Sequence, residues 1–200
     1  MRVLNSKAAR LASLFAMVCQ LSLGPPAWAG EADAVIERGA LAHAVTALED
    51  SFGGKVLDIR LADEKGAAAF EAALAKDDGV LYLRIAAISD DVTQIKLSEL
   101  PPWLLNYRIE AYTRSIEKAK VPLAEAILKA ETRASAPAIG AGLAKPLSGT
   151  NAVLAYYVEV IKGSKRDILA LDAKDDAFIA NPESLYEPFT PVKLARRLAE

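Results

Sequence analysis

The chain has 200 residues, with 24 basic and 26 acidic side chains, a net charge of −2 and 52% hydrophobic residues, a size that suits one domain or two small ones. One histidine and one cysteine cannot assemble the several His or Cys ligands that zinc requires. A mildly acidic chain without a basic stripe argues against nucleic acid as a partner.

The first 29 residues read as an export signal. Arg2, Lys7 and Arg10 form a basic start, residues 11–23 are mostly apolar, Gly24-Pro25-Pro26 breaks the run, and Ala27-Trp28-Ala29 places small residues where a signal peptidase cuts. The apolar core is shorter than the roughly 20 residues that span a bilayer, which disfavours an uncleaved anchor. Cys19 is a weak lipid acceptor, because Val18 stands where a small residue is expected. Cleavage before Gly30 leaves 21 basic against 26 acidic residues, a net charge of −5. The only cysteine leaves with the signal, so the mature chain has no thiol or disulfide chemistry, although a periplasmic or secreted location would permit disulfides. Contact with a membrane is expected only through the signal, before cleavage.

Residues 41–49 and 123–131 lie over each other at an offset of 82, with four identities and a Val45/Ile127 exchange. Both segments are rich in Ala and Leu with apolar residues at helical spacing, which predicts amphipathic helices. Pro122 suits the first turn of the second one. Further along, Phe70-Glu71-Ala72-Ala73-Leu74 falls over Tyr156-Tyr157-Val158-Glu159-Val160 at an offset of 86. The four extra residues belong in the Gly-, Ala-, Pro- and Ser-rich stretch 135–150, where insertions are tolerated.

The expected fold is therefore α+β: two tandem repeats, each a helix on a small antiparallel sheet of three to four strands, joined by a connecting helix. In the first repeat (30–96) the helix is predicted at 35–52 and strands at 55–62, 68–74 and 80–88. In the second (121–181) the helix is predicted at 122–133 and strands at 139–145, 152–161 and 167–171. Short closing strands are expected at 92–95 and 177–179. Strand 68–74 is assigned against its Ala-rich helical composition, because its counterpart 153–161 alternates Leu154, Tyr156, Val158 and Val160 onto one face. Asp58 and Arg60 alternate with Leu57, Ile59 and Leu61, the pattern of a sheet with one wet face.

Between the repeats, 97–120, a helix is predicted at 103–120, with Leu105, Ile109, Tyr112 and Ile116 forming an apolar stripe. That stripe packs on a sheet or offers a partner an exposed face. The tail, 182–200, carries no sheet signal and ends in a short basic helix at 192–200.

Gly54-Lys55-Val56, the aromatic-x-apolar-Glu-apolar strand Tyr156–Val160 and the turn Leu171-Asp172-Ala173-Lys174 together resemble the PepSY family. The first copy, Phe70-Glu71-Ala72-Ala73-Leu74, fits less closely, and the Thr-Gly that follows the family's Asp-Ala is absent from both copies. The resemblance implies a non-catalytic exported module that binds and regulates a protein, with inhibition of a protease as the role usually suggested. The partner-contact candidates are Tyr156 and Tyr157 on the hallmark strand and Trp103, Tyr107 and Tyr112 on the connecting helix.

No catalytic constellation stands out. A Ser-His-Asp triad would need His43 as its base, yet His43 lies over Glu125 in the duplicate helix and reads as a helix-surface residue. Asp77-Asp78, Asp90-Asp91 and Asp175-Asp176 sit at predicted turns, where Asp is favoured for backbone reasons; they lack the spacing of a calcium loop. Gly140-Ala141-Gly142 lacks the third glycine and the strand-to-helix setting of a dinucleotide site. No enzymatic activity, cofactor or metal is expected. Two readings remain: a periplasmic module that captures a protein segment on an open sheet edge, and an accessory subunit of a cell-envelope complex docked through helix 103–120 and the basic tail.

Overall fold

A computed structural model of the protein describes residues 36–64, 67–76, 79–87, 92–94, 114, 116–147 and 153–188. The expected export signal, the predicted connecting helix through residue 113 (with Trp103, Tyr107 and Tyr112), the predicted turns at 77–78 and 90–91 and the predicted tail helix at 192–200 lie outside the described residues.

Helix α1 spans Ala40–Phe52 and α2 spans Leu123–Ala134. In α1, Leu41, Ala44, Val45 and Leu48 are buried, the spacing of one apolar face. It stops at Gly53, whose φ of 65° is open to glycine and whose N–H donates to the Glu49 carbonyl. In α2, Leu123, Ala126, Ile127 and Ala130 are buried, and Pro122 stands just before the first turn, in extended conformation.

Strands β1 (Lys55–Glu64), β2 (Ala67–Lys76), β3 (Gly79–Ala86) and β4 (Val92–Gln94) follow α1. After α2 come β5 (Ala138–Pro146), β6 (Ala155–Lys162), β7 (Lys165–Asp172), β8 (Phe178–Ile179) and, past a short 3₁₀ turn at Pro182–Ser184, β9 (Tyr186–Pro188). Two separate helix-on-sheet units are not what forms. All nine strands among the described residues belong to one antiparallel sheet, ordered β4-β3-β2-β1-β5-β6-β7-β8, with β9 also on β5. The merger occurs where β1 pairs with β5, Asp58 opposite Gly142 and Arg60 opposite Gly140. The two helices touch each other and pack on β1, β2, β5 and β6.

One core fills the space between helices and sheet. It takes Leu57 and Ile59 from β1, Phe70 and Leu74 from β2, Leu83 and Ile85 from β3, Leu143 from β5, Tyr156, Val158 and Val160 from β6, and Leu171 from β7. Ile116 joins it, so the end of the connecting stripe is core. Strand β2 is extended despite its alanines, because β1 and β3 pair with it along both edges and pairing outweighs an intrinsic preference of this size.

The second face of the sheet corrects a further expectation. Asp58 and Arg60 were expected on a wet face, yet Asp58 is 0% and Arg60 9% exposed. The tail differs as well. Its Tyr186–Pro188 segment is a strand, with Ala144, Lys145 and Pro146 of β5 opposite Pro188, Glu187 and Tyr186. Tyr186 joins Ala144, Ala155 and Tyr157 in a small cluster on the face away from the helices.

Candidate functional site

Two rows of side chains cross the sheet on that second face. One runs Tyr82, Ala73, Asp58, Gly142, Tyr157 and Ala170. The next runs Arg84, Glu71, Arg60, Gly140, Glu159 and Ile168. In each row the β5 position is glycine, and side chains from β1 and β6 meet across it. A Cβ at Gly142 would lie 2.6 Å from the Leu57 carbonyl oxygen and 3.2 Å from the Tyr157 hydroxyl.

Arg60 makes three contacts here, two of them across this gap. Its Nη2 donates to the Tyr157 hydroxyl at 2.6 Å, its Nε to Asp58 Oδ1 at 3.1 Å and its Nη1 to Glu159 Oε2 at 3.4 Å. The Tyr157 O–H donates in turn to Asp58 Oδ1, and the guanidinium carbon stands 5.3 Å from the Tyr157 ring centre. Arg166 reaches the other Glu159 oxygen at 3.2 Å.

Burial opposes the Arg60 charge, but Tyr157, Asp58 and Glu159 outweigh it and the guanidinium pKa rises. Burial first, and Asp58 second, hold the Tyr157 phenol well above its usual pKa. The same two causes push Tyr82 up to about 12. The group is thus a fixed cation between carboxylates, with neutral phenols beside it. Such a cluster holds β1, β5 and β6 in register, since its charges are spent on one another.

Beyond Tyr157 the sheet becomes accessible. Strand β8 pairs with β7 only at Ala170 and Leu171, so the outer edge of β7 from 165 to 169 has no partner strand among the described residues. On the face away from the helices, a cavity of about 150 Å³ opens beside this edge, lined by Tyr157, Ile168, Ala170, Pro182, Glu183, Tyr186 and Glu187. The Tyr186 hydroxyl donates to the Val153 carbonyl at 3.0 Å, and Lys145 forms an ion pair with Glu187. The free edge and the cavity together are the candidate site, with the Arg60 cluster holding Tyr157 in the cavity wall.

The expected contact residues fare differently. Tyr156 is 1% exposed and donates to the Val121 carbonyl at 3.1 Å beneath the helices, so it offers no surface to a partner. Tyr157 is 2% exposed and is open only toward the cavity. Trp103, Tyr107 and Tyr112 lie outside the described residues. His43 is on the exposed side of α1. Among the described residues, no three His, Cys, Asp or Glu side chains stand together as metal ligands, and no helix is long and apolar enough to cross a membrane. Sequence reading missed Ile168, Ala170, Pro182 and Tyr186. Pro182 and Tyr186 follow the second repeat and carry no periodic signal, but a tyrosine and two prolines after a strand hint at a return segment.

No family model matches the chain, and no curated protein matches it. Among solved structures it is similar to a Clostridium difficile 630 protein provisionally described as a lipoprotein. The two are 16% identical over 68% of this chain and 87% of that one, with a TM-score of 0.43. A likeness that weak carries no argument about this chain.

Proposed function

We propose that the protein is an exported, non-catalytic module of PepSY-like character that binds and regulates another protein, taking an extended segment of it onto the outer edge of β7. The observation that carries this reading is the edge itself. Residues 165–169 form a strand paired on its inner side by β6 and by no strand on its outer side among the described residues, where the Ile168 N–H is met only by the neighbouring Asp167 carboxylate at 2.9 Å, a local contact that an added strand can displace. Such an edge is a template for strand addition. Two further features support it. The polar groups concentrated in the fold, Asp58, Arg60, Tyr157 and Glu159, are engaged with one another, so none is offered to a substrate. The first 29 residues have the form of an export signal, which supports a partner in the periplasm or outside the cell.

A photo-crosslinking residue in place of Lys165, in the full chain produced in its native cell, tests the proposal. Leu128, 48% exposed on α2, is the control position. One discrete protein adduct is expected at 165 and absent at 128, and that protein, once purified, should slow amide exchange at 165–169. Equal adducts at both positions, or unchanged exchange, would remove the reading.

A further inference from the structure

The β7 edge differs chemically from one end to the other. At the turn end, Arg166 is 69% exposed on the cavity face and shares Glu159 with Arg60, while exposed Lys162, Lys165 and Asp167 leave the opposite face. At the far end the cavity is walled by Tyr157, Ile168, Ala170, Pro182 and Tyr186. Exposed Glu183 stands at its rim, whereas Glu187 is neutralised by Lys145. On the cavity face the Arg166 guanidinium thus marks one end of the edge. An apolar hole beside a carboxylate marks the other.

Arg166 and Ile168 are two residues apart on one strand, so their side chains leave the same face. That face carries the cavity, because Ile168 lines it. A strand added beside β7 places its own side chains opposite these two, again two residues apart. A cavity of about 150 Å³ holds a group about the size of benzene, which admits a leucine, isoleucine or phenylalanine side chain.

We infer that the site reads an acidic-x-apolar pattern: an extended protein segment with a carboxylate over Arg166 and, two residues away, one medium-sized apolar side chain inserted against Tyr157, Ile168 and Ala170. This rests on the edge-binding reading and adds the chemistry of the bound segment. Charge sets the direction. On the cavity face an acidic residue is drawn to the exposed Arg166, which shares the single Glu159 carboxylate with Arg60, and is repelled by Glu183, so the segment lies along the edge one way round.

Three labelled synthetic peptides of alternating threonines test it on the full mature chain: one carrying Glu-x-Leu, one Lys-x-Leu and one Glu-x-Ser. Fluorescence anisotropy should show the Glu-x-Leu peptide binding about tenfold more tightly than the other two, a difference of about 1.4 kcal/mol, and weakening as salt is raised. Arg166→Glu, at an exposed position, should turn the preference toward Lys-x-Leu. Ala170→Leu, which fills the cavity, should reduce Glu-x-Leu to the level of Glu-x-Ser; Ile168→Thr serves the same purpose if the larger side chain prevents folding. Equal affinities for all three peptides, with slowed exchange at 165–169, would overturn this inference and leave edge binding standing. Failure of every peptide to bind would also overturn it, whatever the crosslinked partner does at the edge.

Discussion

The Glu131 carboxylate accepts the backbone N–H of Ala138 at 2.9 Å, seven residues further on, and Glu49 holds Val56 in the same way at 3.0 Å over the same separation. Each helix thereby fixes the start of the strand that follows it. The two carboxylates differ in their second contact. Glu131 also takes the Gly39 N–H at 2.8 Å, tying α2 to the start of α1, whereas Glu49 takes the exposed Lys55 ammonium. Removing a buried acceptor leaves its donors without partners, at about 1–3 kcal/mol each. Glu131→Ala should therefore destabilise the fold by about 2–4 kcal/mol, and Glu49→Ala by about half that, since a surface ion pair adds little. Urea midpoints of the two variants decide it, and equal losses would mean that Glu131 does not join the helices.

The glycines of β5 offer a sharper comparison, since they lie two residues apart on the same face. At Gly142 an added Cβ meets the Leu57 oxygen at 2.6 Å and Asp58 Cα at 2.9 Å, both backbone, whereas at Gly140 the nearest atoms are 3.5 Å away. Backbone at the centre of a sheet has little room to retreat. Gly142→Ala should cost about 2–3 kcal/mol through overpacking, and Gly140→Ala less than about 1 kcal/mol. Thermal unfolding of both variants checks this ordering, which a milder Gly142 variant would reverse.

Those glycines also explain what the sequence could and could not tell. Glu49 and Glu131 align when the chain is laid against itself, and the shared N–H contacts give that match a physical basis. The strand at Ala67–Lys76 was legible only through its counterpart, because its alanines favour helix. The pairing of β1 with β5 left no local mark: the strand at 139–145 is legible, but nothing in Gly140-Ala141-Gly142 says which strand lies beside it. For the same reason Asp58 and Arg60 looked solvent-facing. Alternation identifies a second face but not whether it is covered, and their partners Tyr157 and Glu159 are 97–99 residues away.

The Arg60 cluster predicts unequal losses from its members. Arg60→Met deletes the cation that contacts the fully buried Asp58 carboxylate and the Tyr157 hydroxyl. Breaking a buried pair from one side costs about 3–5 kcal/mol. Glu159→Gln removes a longer contact of 3.4 Å at a side chain with 16% exposure, which should cost less than about 1 kcal/mol. Chemical denaturation of the two variants separates a buried clamp from a peripheral ion pair; similar values for both would show that the charge on Arg60 is not what holds β1 to β6.

The same burial gives the protein an alkaline limit. Folding raises the phenol pKa of Tyr82 from 10.0 to about 12, through burial first and Asp58 second, and raises those of Tyr156 and Tyr157 as well. A raised pKa means that the folded state keeps its proton while the unfolded chain releases one, so the contribution is complete below pH 10 and fades as pH climbs. For each such tyrosine, unfolding free energy should drop by about 1.4 kcal/mol per pH unit above pH 10, with Tyr82 levelling off near pH 12. Lys129, whose pKa is raised first by Asp176 and then by Glu125, adds a pH dependence of the same sign, so the informative quantity is a difference between variants. Tyr82→Phe should make the stability-against-pH slope shallower by about 1.4 kcal/mol per pH unit, measured by urea unfolding at a series of alkaline pH values. An unchanged slope would mean that Tyr82 reaches solvent and ionises alike in both states.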